Sequence, residues 1–185
     1  MSETIREAKT SEIESQKGSK KGSWDIYHKR KRIDPKNLAD KVSALRKEGK
    51  TIATLNGSFD LMHAGHLYFI YEASKVADLL IVGLNTDHSI QQYKSPTRPI
   101  VPLEYRLQMM AALEFVDFVT WFDETDPRQL LSVIQPDVHV NGAEYGENCI
   151  EAETVKHFGG RIHLVDRIPT LSTTEIIKKI HSLCD

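Results

Sequence analysis

The chain has 185 residues, of which 40% are hydrophobic and 27% charged, and its formal net charge is −2. Those proportions suit one globular domain with ample chain to bury a core, and they exclude a protein that binds polyanions by bulk charge. Its two cysteines, Cys149 and Cys184, form no motif, no apolar run reaches transmembrane length, and the N-terminus lacks a signal-peptide core, so a reducing cytoplasm is the expected compartment and no membrane span is expected.

Residues 1–32 read as a flexible polar and basic tail, with the folded domain over 33–185. The tail ends in a basic cluster, His28 to Arg32, following Trp24 and Tyr27. A solvated charge run is preferred there over a nucleic-acid or membrane patch, so nucleic acid is not an expected partner. Asp34 and Pro35 then pattern as a cap with proline at the first helical position, and Leu38, Val42 and Leu45 give the following helix one apolar stripe that Gly49 ends.

The first strand is expected over Thr51–Leu55 and the next helix over Leu67–Val76. Between them lies Asn56-Gly-Ser-Phe-Asp-Leu-Met-His-Ala-Gly-His66, a strand-to-helix turn carrying two glycines and two histidines. Gly57 lets backbone approach a ligand closely, and Gly65 does the same at the turn into the helix. Backbone N–H groups at a helix start favour an anion, whereas a protonated histidine there opposes the helix dipole. An anionic ligand beside His63 and His66 removes that conflict, and this reading is preferred over two partly exposed structural histidines.

Asp78–Leu84 is an unbroken apolar run suited to a strand buried on both faces, and Asn85 to Asp87 closes it. Ser89–Val101 reads as a loop able to carry the cations Lys94 and Arg98 over a site. Leu103, Leu107, Met110 and Leu113 make a helical stripe, with Arg106 on another face. Further strands are expected over Asp117–Trp121, Asp137–Val140 and Arg161–Val165, and further helices over Pro127–Ile134, Ile150–Phe158 and Thr173–Leu183. Ser172 and Glu175 have the spacing of a capping box.

Strands alternating with helices argue a Rossmann-like α/β fold, a parallel five-stranded sheet with helices on both faces. Such sheets bind ligands at the carboxyl ends of their strands. Four polar stretches fall there: Asn56–His66, Asn85–Asp87, Asn141–Tyr145 and Asp166–Thr174. The Walker and dinucleotide glycine patterns are absent, no serine sits in a nucleophile-elbow context, and no Cys or His pair has zinc spacing, so no metal held by protein side chains is expected.

The pattern G-x-F-D-x-x-H-x-G-H from Gly57 to His66 resembles the signature of the H-x-G-H nucleotidyltransferase superfamily, which includes cytidylyltransferases and heptose-1-phosphate adenylyltransferases. Ser172-Thr-Thr-x-Ile-Ile177 is similar to the superfamily's second signature, at a helix start that contacts the triphosphate in that family. The resemblance covers Lys50 to about Ile180 and implies strand order 3-2-1-4-5. It implies His63, His66 and Lys94 as catalytic residues, and a nucleotide contacted by Gly57, Ser58, Phe59, His63, His66, Asn141, Gly142, Glu144, Arg167, Ser172, Thr173 and Thr174. It further implies an acceptor contacted by Asp60, Asn85, Asp87, Lys94 and Arg106.

Two departures stand out. Thr170 replaces the glycine of the cytidylyltransferase R-T-x-G-I-S-T pattern, and Glu144 stands where an Asp is usual. The stretch Asn85–Asp87, the run R-P-x-x-P-L-E-x-R from Arg98 to Arg106, Ala112–Asp117 and Glu175–Ile180 look most like the heptose-1-phosphate adenylyltransferase domain, whereas Arg167 matches the cytidylyltransferases. The resemblance therefore implies a transferase that condenses ATP with D-glycero-D-manno-heptose 1-phosphate and releases pyrophosphate, with Mg²⁺ accompanying the triphosphate. A CTP-dependent glycerol-3-phosphate-type cytidylyltransferase is the alternative, and a non-catalytic nucleotide-binding module a third reading. Without a sugar-kinase domain the chain is expected to act as a stand-alone transferase, and the resemblance leaves a homodimer open.

Overall fold

A computed structural model of the chain describes residues 23–166 and 172–183. The chain divides into two units, residues 1–30 and 31–185. In the first, Trp24–Tyr27 forms a single helical turn (α1), with the Trp24 and Tyr27 rings stacked and the Arg30 guanidinium over Tyr27. Lys31 and Arg32 belong to the second unit, where Arg32 makes an isolated parallel bridge with Val119 and its guanidinium meets Glu104 at 2.7 Å.

The second unit is built on five parallel strands: β1 (Ile52–Gly57), β2 (Leu79–Asn85), β3 (Phe118–Phe122), β4 (Val138–Gly142) and β5 (Arg161–Val165). Their order is β3-β2-β1-β4-β5, the expected one. The helices are α2 (Leu38–Lys47), α3 (Ala64–Ser74), α4 (Asp87–Tyr93), α5 (Leu103–Ala111), α6 (Arg128–Ile134), α7 (Ala152–His157) and α8 (Thr173–His181).

Strand side chains alternate between faces, and the sheet therefore carries two cores. Ala53 and Leu55 of β1 with Leu80, Val82 and Leu84 of β2 pack against Ile70 and Ala73 of α3 and Leu107 and Met110 of α5. The intervening residues Ile52 and Ile81 pack against Leu38, Val42 and Leu45 of α2 and Leu130 and Ile134 of α6. Both faces being covered explains why β1 and β2 read as continuous apolar runs rather than alternating ones.

The sequence reading differs from the structure at residues 89–93, within the helix Asp87–Tyr93. That stretch, expected as the first part of a loop, belongs to the helix α4, started by the Thr86 side chain accepting from the Ser89 N–H at 3.0 Å. At seven residues and with only Ser89 and Ile90 buried, α4 is too short to display an apolar period. Arg106, expected on another face than the apolar stripe of α5 and in contact with the acceptor, is 1% exposed and held among backbone carbonyls.

The sheet interior holds one cross-strand polar pair among the described residues. Thr54 of β1 and His139 of β4 are in register, and Thr54 Oγ1 lies 2.8 Å from His139 Nδ1. Burial drives the His139 pKa down from 6.5 to about 4. The imidazole stays neutral in the folded chain while the unfolded chain takes up a proton below pH 6.5. Stability is therefore lost as pH falls from 6.5 towards about 4. Thermal melting across that window in the wild type and His139→Gln checks this. The variant is expected to show a shallower fall in melting temperature by the equivalent of one proton, and identical slopes would refute the assignment.

Candidate functional site

The order β3-β2-β1-β4-β5 reverses direction between β1 and β4, and chain connections leave the sheet there on opposite faces. A cavity of about 680 Å³ opens at this point. That volume lies within the range of ligand pockets, roughly 300–1,000 Å³. Its floor is the end of β1 and the turn after it, Asn56 to Phe59. One wall is the start of α3, and the other the end of β4 with the segment following it.

At the α3 end, His63 is the N-cap, in extended conformation, and its Nδ1 accepts from the His66 N–H at 3.4 Å. An accepting Nδ1 leaves Nε2 as the protonated, donating nitrogen. The His63 and His66 rings stack with centroids 3.9 Å apart, and Phe59 meets His66 edge-on at 5.5 Å. Phe59 adopts φ 43°, and its ring lies so close to Gly57 that a Cβ there would come within 3.2 Å of it. Glycine at 57 thus accommodates the aromatic that backs the histidine pair. Desolvation lowers the His63 pKa below 6.5, as expected for a stacked imidazole at the positive end of a helix.

Also at the cavity, Ser172 caps α8 by accepting from the Glu175 N–H at 3.2 Å, and Thr173 Oγ1 donates to the Leu61 carbonyl at 3.4 Å. Two helix N-termini, of α3 and α8, therefore converge on one cavity. Lys94 reaches in from the end of α4, its Nζ donating to Ser58 Oγ at 2.7 Å. Although the Lys94 side chain is largely exposed, its amine is desolvated at the cavity mouth. Its pKa is lowered, first by that burial and then by the Arg98 and Arg106 cations, with Asp60 opposing.

The β4 wall has a different chemistry. Asn141 Nδ2 donates to Glu151 Oε2 at 3.3 Å, while Asn141 Oδ1 accepts from the Gly142 N–H at 3.0 Å. The Glu144 carboxylate lies directly over Gly142, where any Cβ would collide with it.

Residues 54–181 match the cytidylyltransferase-like family, which is about seven-tenths of the chain. The chain belongs to that family. It is 39% identical over 145 residues to the bifunctional protein HldE of Syntrophotalea carbinolica, covering 78% of this chain and 30% of the relative. It is 43% identical over 140 residues to the HldE of Alcanivorax borkumensis, covering 75% of this chain and 29% of that one. The chain thus spans about a third of the length of the curated relatives it matches. Among solved structures, the lipopolysaccharide core biosynthesis protein from Thermoplasma volcanium superposes with a TM-score of 0.53 at 25% identity, over 65% of this chain and 98% of that one. A pantoate-beta-alanine ligase from Francisella tularensis shares the fold, with a TM-score of 0.54 at 19% identity over 83% of this chain and 79% of that one.

Of the residues singled out in this family member, Gly57, Ser58, Phe59, His63, His66, Asn85 and Lys94 line the cavity, as do Asn141, Gly142, Glu144, Ser172, Thr173 and Thr174. Arg167 lies outside the described residues. Asp60, Asp87 and Arg106 are not in the lining. Asp60 is 2% exposed and accepts from the Ile100 and Val101 N–H groups at 2.8 Å, with Arg98 at 2.5 Å from its other oxygen. Asp87 accepts from the Leu103 N–H and from Arg106. Asp60 is thus spent on the protein behind the wall, and Asp87 holds Leu103 and Arg106 through Oδ1. Asn85 is intermediate, a lining residue whose Nδ2 donates to Ser89 Oγ.

Sequence reasoning missed Tyr93, Asp126, Cys149 and Glu151, all of which line the cavity. Tyr93 is next to Lys94, and a helical reading of α4 would have found it. The others lie on loops or helix starts with no local pattern, and only the third dimension brings them in.

With its pKa lowered by desolvation, His63 is neutral at pH 7 and gains a proton only below 6.5. An NMR titration of the His63 ring is expected to show a midpoint below 6.5 in the free protein, moving up when pyrophosphate is added. A midpoint above 6.5 without ligand would contradict the capping role of Nδ1.

Proposed function

We propose that this chain is a nucleotidyltransferase that joins a nucleoside triphosphate, ATP in preference to CTP, to a phosphorylated sugar, D-glycero-D-manno-heptose 1-phosphate, and releases pyrophosphate. The observation that carries the reading is the stacked His63–His66 pair at the start of α3, which lines one cavity together with the start of α8. Membership of the cytidylyltransferase-like family supports the reaction class, and the likeness to HldE proteins supports a sugar phosphate as acceptor.

In the proposed reaction an oxygen of the acceptor phosphate attacks the α-phosphorus of the triphosphate. The bond from that phosphorus to the bridging oxygen of the β-phosphate breaks, and pyrophosphate leaves with its electron pair. Positioning and charge neutralisation do most of the work in such a transfer. His63 donates from Nε2, and His66 lies in the same stack. The N–H groups at the start of α8 with the hydroxyls of Thr173 and Thr174 receive phosphate oxygens, and Lys94 adds a cation from α4. Among the described residues no three His, Cys, Asp or Glu side chains could hold a metal ion together. The donor-rich lining suits phosphate oxygens instead, so Mg²⁺ would enter on the triphosphate and neutralise its charge. No helix among the described residues is long and apolar enough to cross a membrane.

Pyrophosphate release, measured with ATP or CTP against heptose 1-phosphate, glycerol 3-phosphate and phosphocholine, tests the proposal. Release with ATP and the heptose phosphate is expected, falling by about 10²–10³ in His66→Ala, as for loss of one transition-state donor. Release only with CTP and glycerol 3-phosphate would replace the substrates. No release from any pair would sink the catalytic reading.

A further inference from the structure

Arg106 is the largest fully buried side chain of the described residues, and no part of it lines the cavity. A charge buried to this degree is costly unless every donor is satisfied, and here four contacts share the guanidinium. Nη1 donates to the Ser58 carbonyl at 2.7 Å and to the Asn85 carbonyl at 2.9 Å. Nε donates to the Val101 carbonyl at 2.9 Å, and Nη2 to Asp87 Oδ1 at 2.6 Å. These acceptors come from the turn after β1, the end of β2, the segment before α5 and the start of α4. One planar group thus ties together three chain segments, at residues 58, 85–87 and 101.

Two of those acceptors belong to residues whose other atoms face the ligand space. Ser58 gives its carbonyl to Arg106 and its hydroxyl to Lys94 Nζ, while Asn85 gives its carbonyl to Arg106 and lines the cavity itself. We propose that Arg106 is a positioning residue: it fixes the ends of β1 and β2 against α4 so that Ser58 and Lys94 are presented to the ligand in one geometry. In its effect on turnover this rests on the function proposed above; in its effect on Lys94 it does not. A lysine cannot replace the guanidinium, because an ammonium lacks the flat fork that reaches carbonyls in divergent directions.

The charges facing the Lys94 amine are Arg98, Asp60 and Arg106, with the Tyr93 ring 5.8 Å away. Arg106 is one of the two cations that hold its pKa down. Removing the charge and removing the fork therefore have separable consequences. In Arg106→Met, an NMR titration of reductively methylated Lys94 in the ligand-free protein is expected to move to higher pH. In Arg106→Lys the titration stays near the wild type, yet kcat falls by about 10², the scale of a 1 Å misplacement at a reacting centre, while KM for the triphosphate holds. The Lys94 titration reports the Arg106 charge, and kcat in Arg106→Lys reports the fork: an arginine that only stabilised the fold would leave kcat unchanged in a well-folded Arg106→Lys.

An unmoved Lys94 titration in Arg106→Met, or wild-type kcat in Arg106→Lys, would overturn the proposal. If Arg106→Met does not fold, Asp87→Ala takes its place, since it removes the acceptor of Nη2 and leaves the buried cation where it is. A kcat lowered by about tenfold with KM unchanged, the cost of about 1.4 kcal/mol in transition-state stabilisation, is then expected, and unchanged kcat would count against the proposal. Because the Lys94 titration needs no substrate, a failure of the proposed acceptor leaves it standing, and the two ideas fail separately.

Discussion

The constraint on which this molecule depends is that all five strands run the same way. A parallel sheet delivers every strand's last carbonyl and the turn behind it to one edge, and the helices cover both faces while leaving that edge open. Between β1 and β4 the connections part to opposite faces, and the cavity sits in that parting. The histidine turn, the start of α8 and the Asn141–Glu144 segment meet there because topology brings them, although Gly57 and Ser172 lie far apart along the chain. Any change that shifted β1 relative to β2 or β4 would separate them.

That register is held from two sides. In the sheet, apolar residues with period 2 fix which face each strand presents, since a one-residue slip would turn Ala53 and Leu55 away from α3 and α5. At the rim, buried ions add to the packing of Phe59 and Leu84. Asp60 gathers Ile100, Val101 and Arg98, and Arg106 gathers Ser58, Asn85, Asp87 and Val101. Hydrogen bonds to carbonyls at fixed angles specify backbone position far more narrowly than packing alone. The rim therefore obtains rigidity without filling the space a ligand needs.

The fold was largely legible in the sequence because it rests on period and punctuation. The expected strands each fell within two residues of the observed ones, and strand order 3-2-1-4-5 followed from the family likeness. The start of α3 was legible because two glycines and two histidines at a strand-to-helix turn suit an anion better than they suit a core, and the structure stacks His63 on His66 there. What the sequence hid was the difference between facing the ligand and holding what faces it. Asp60, Asp87 and Arg106 carry the same charges in either case, and Arg106 falls off the apolar stripe of α5, where solvent is the ordinary destination of an arginine. Only the carbonyls contributed by three other segments reveal that it points inward. Helix α4 was hidden for another reason, since its seven residues are shorter than two helical turns and owe their conformation to the Thr86 cap.

The two halves of the cavity also divide the labour of recognition. Around α3 and α8 the groups are imidazoles, hydroxyls, backbone N–H and the Lys94 amine, donors that under the proposed reaction would meet phosphate oxygens without regard to the base. A triphosphate of adenosine and one of cytidine are equivalent to that half. Under the proposed reaction, discrimination between them has to arise at the β4 end. There the Gly142 backbone is bracketed by the Glu144 carboxylate, and Asn141 is oriented by Glu151. Acceptors dominate that end, so it favours bases that present donors, and both adenine and cytosine carry an exocyclic amine. Under that reaction the preference would have to come from shape, in the part of the cavity that Glu144, Tyr145 and Ile150 line.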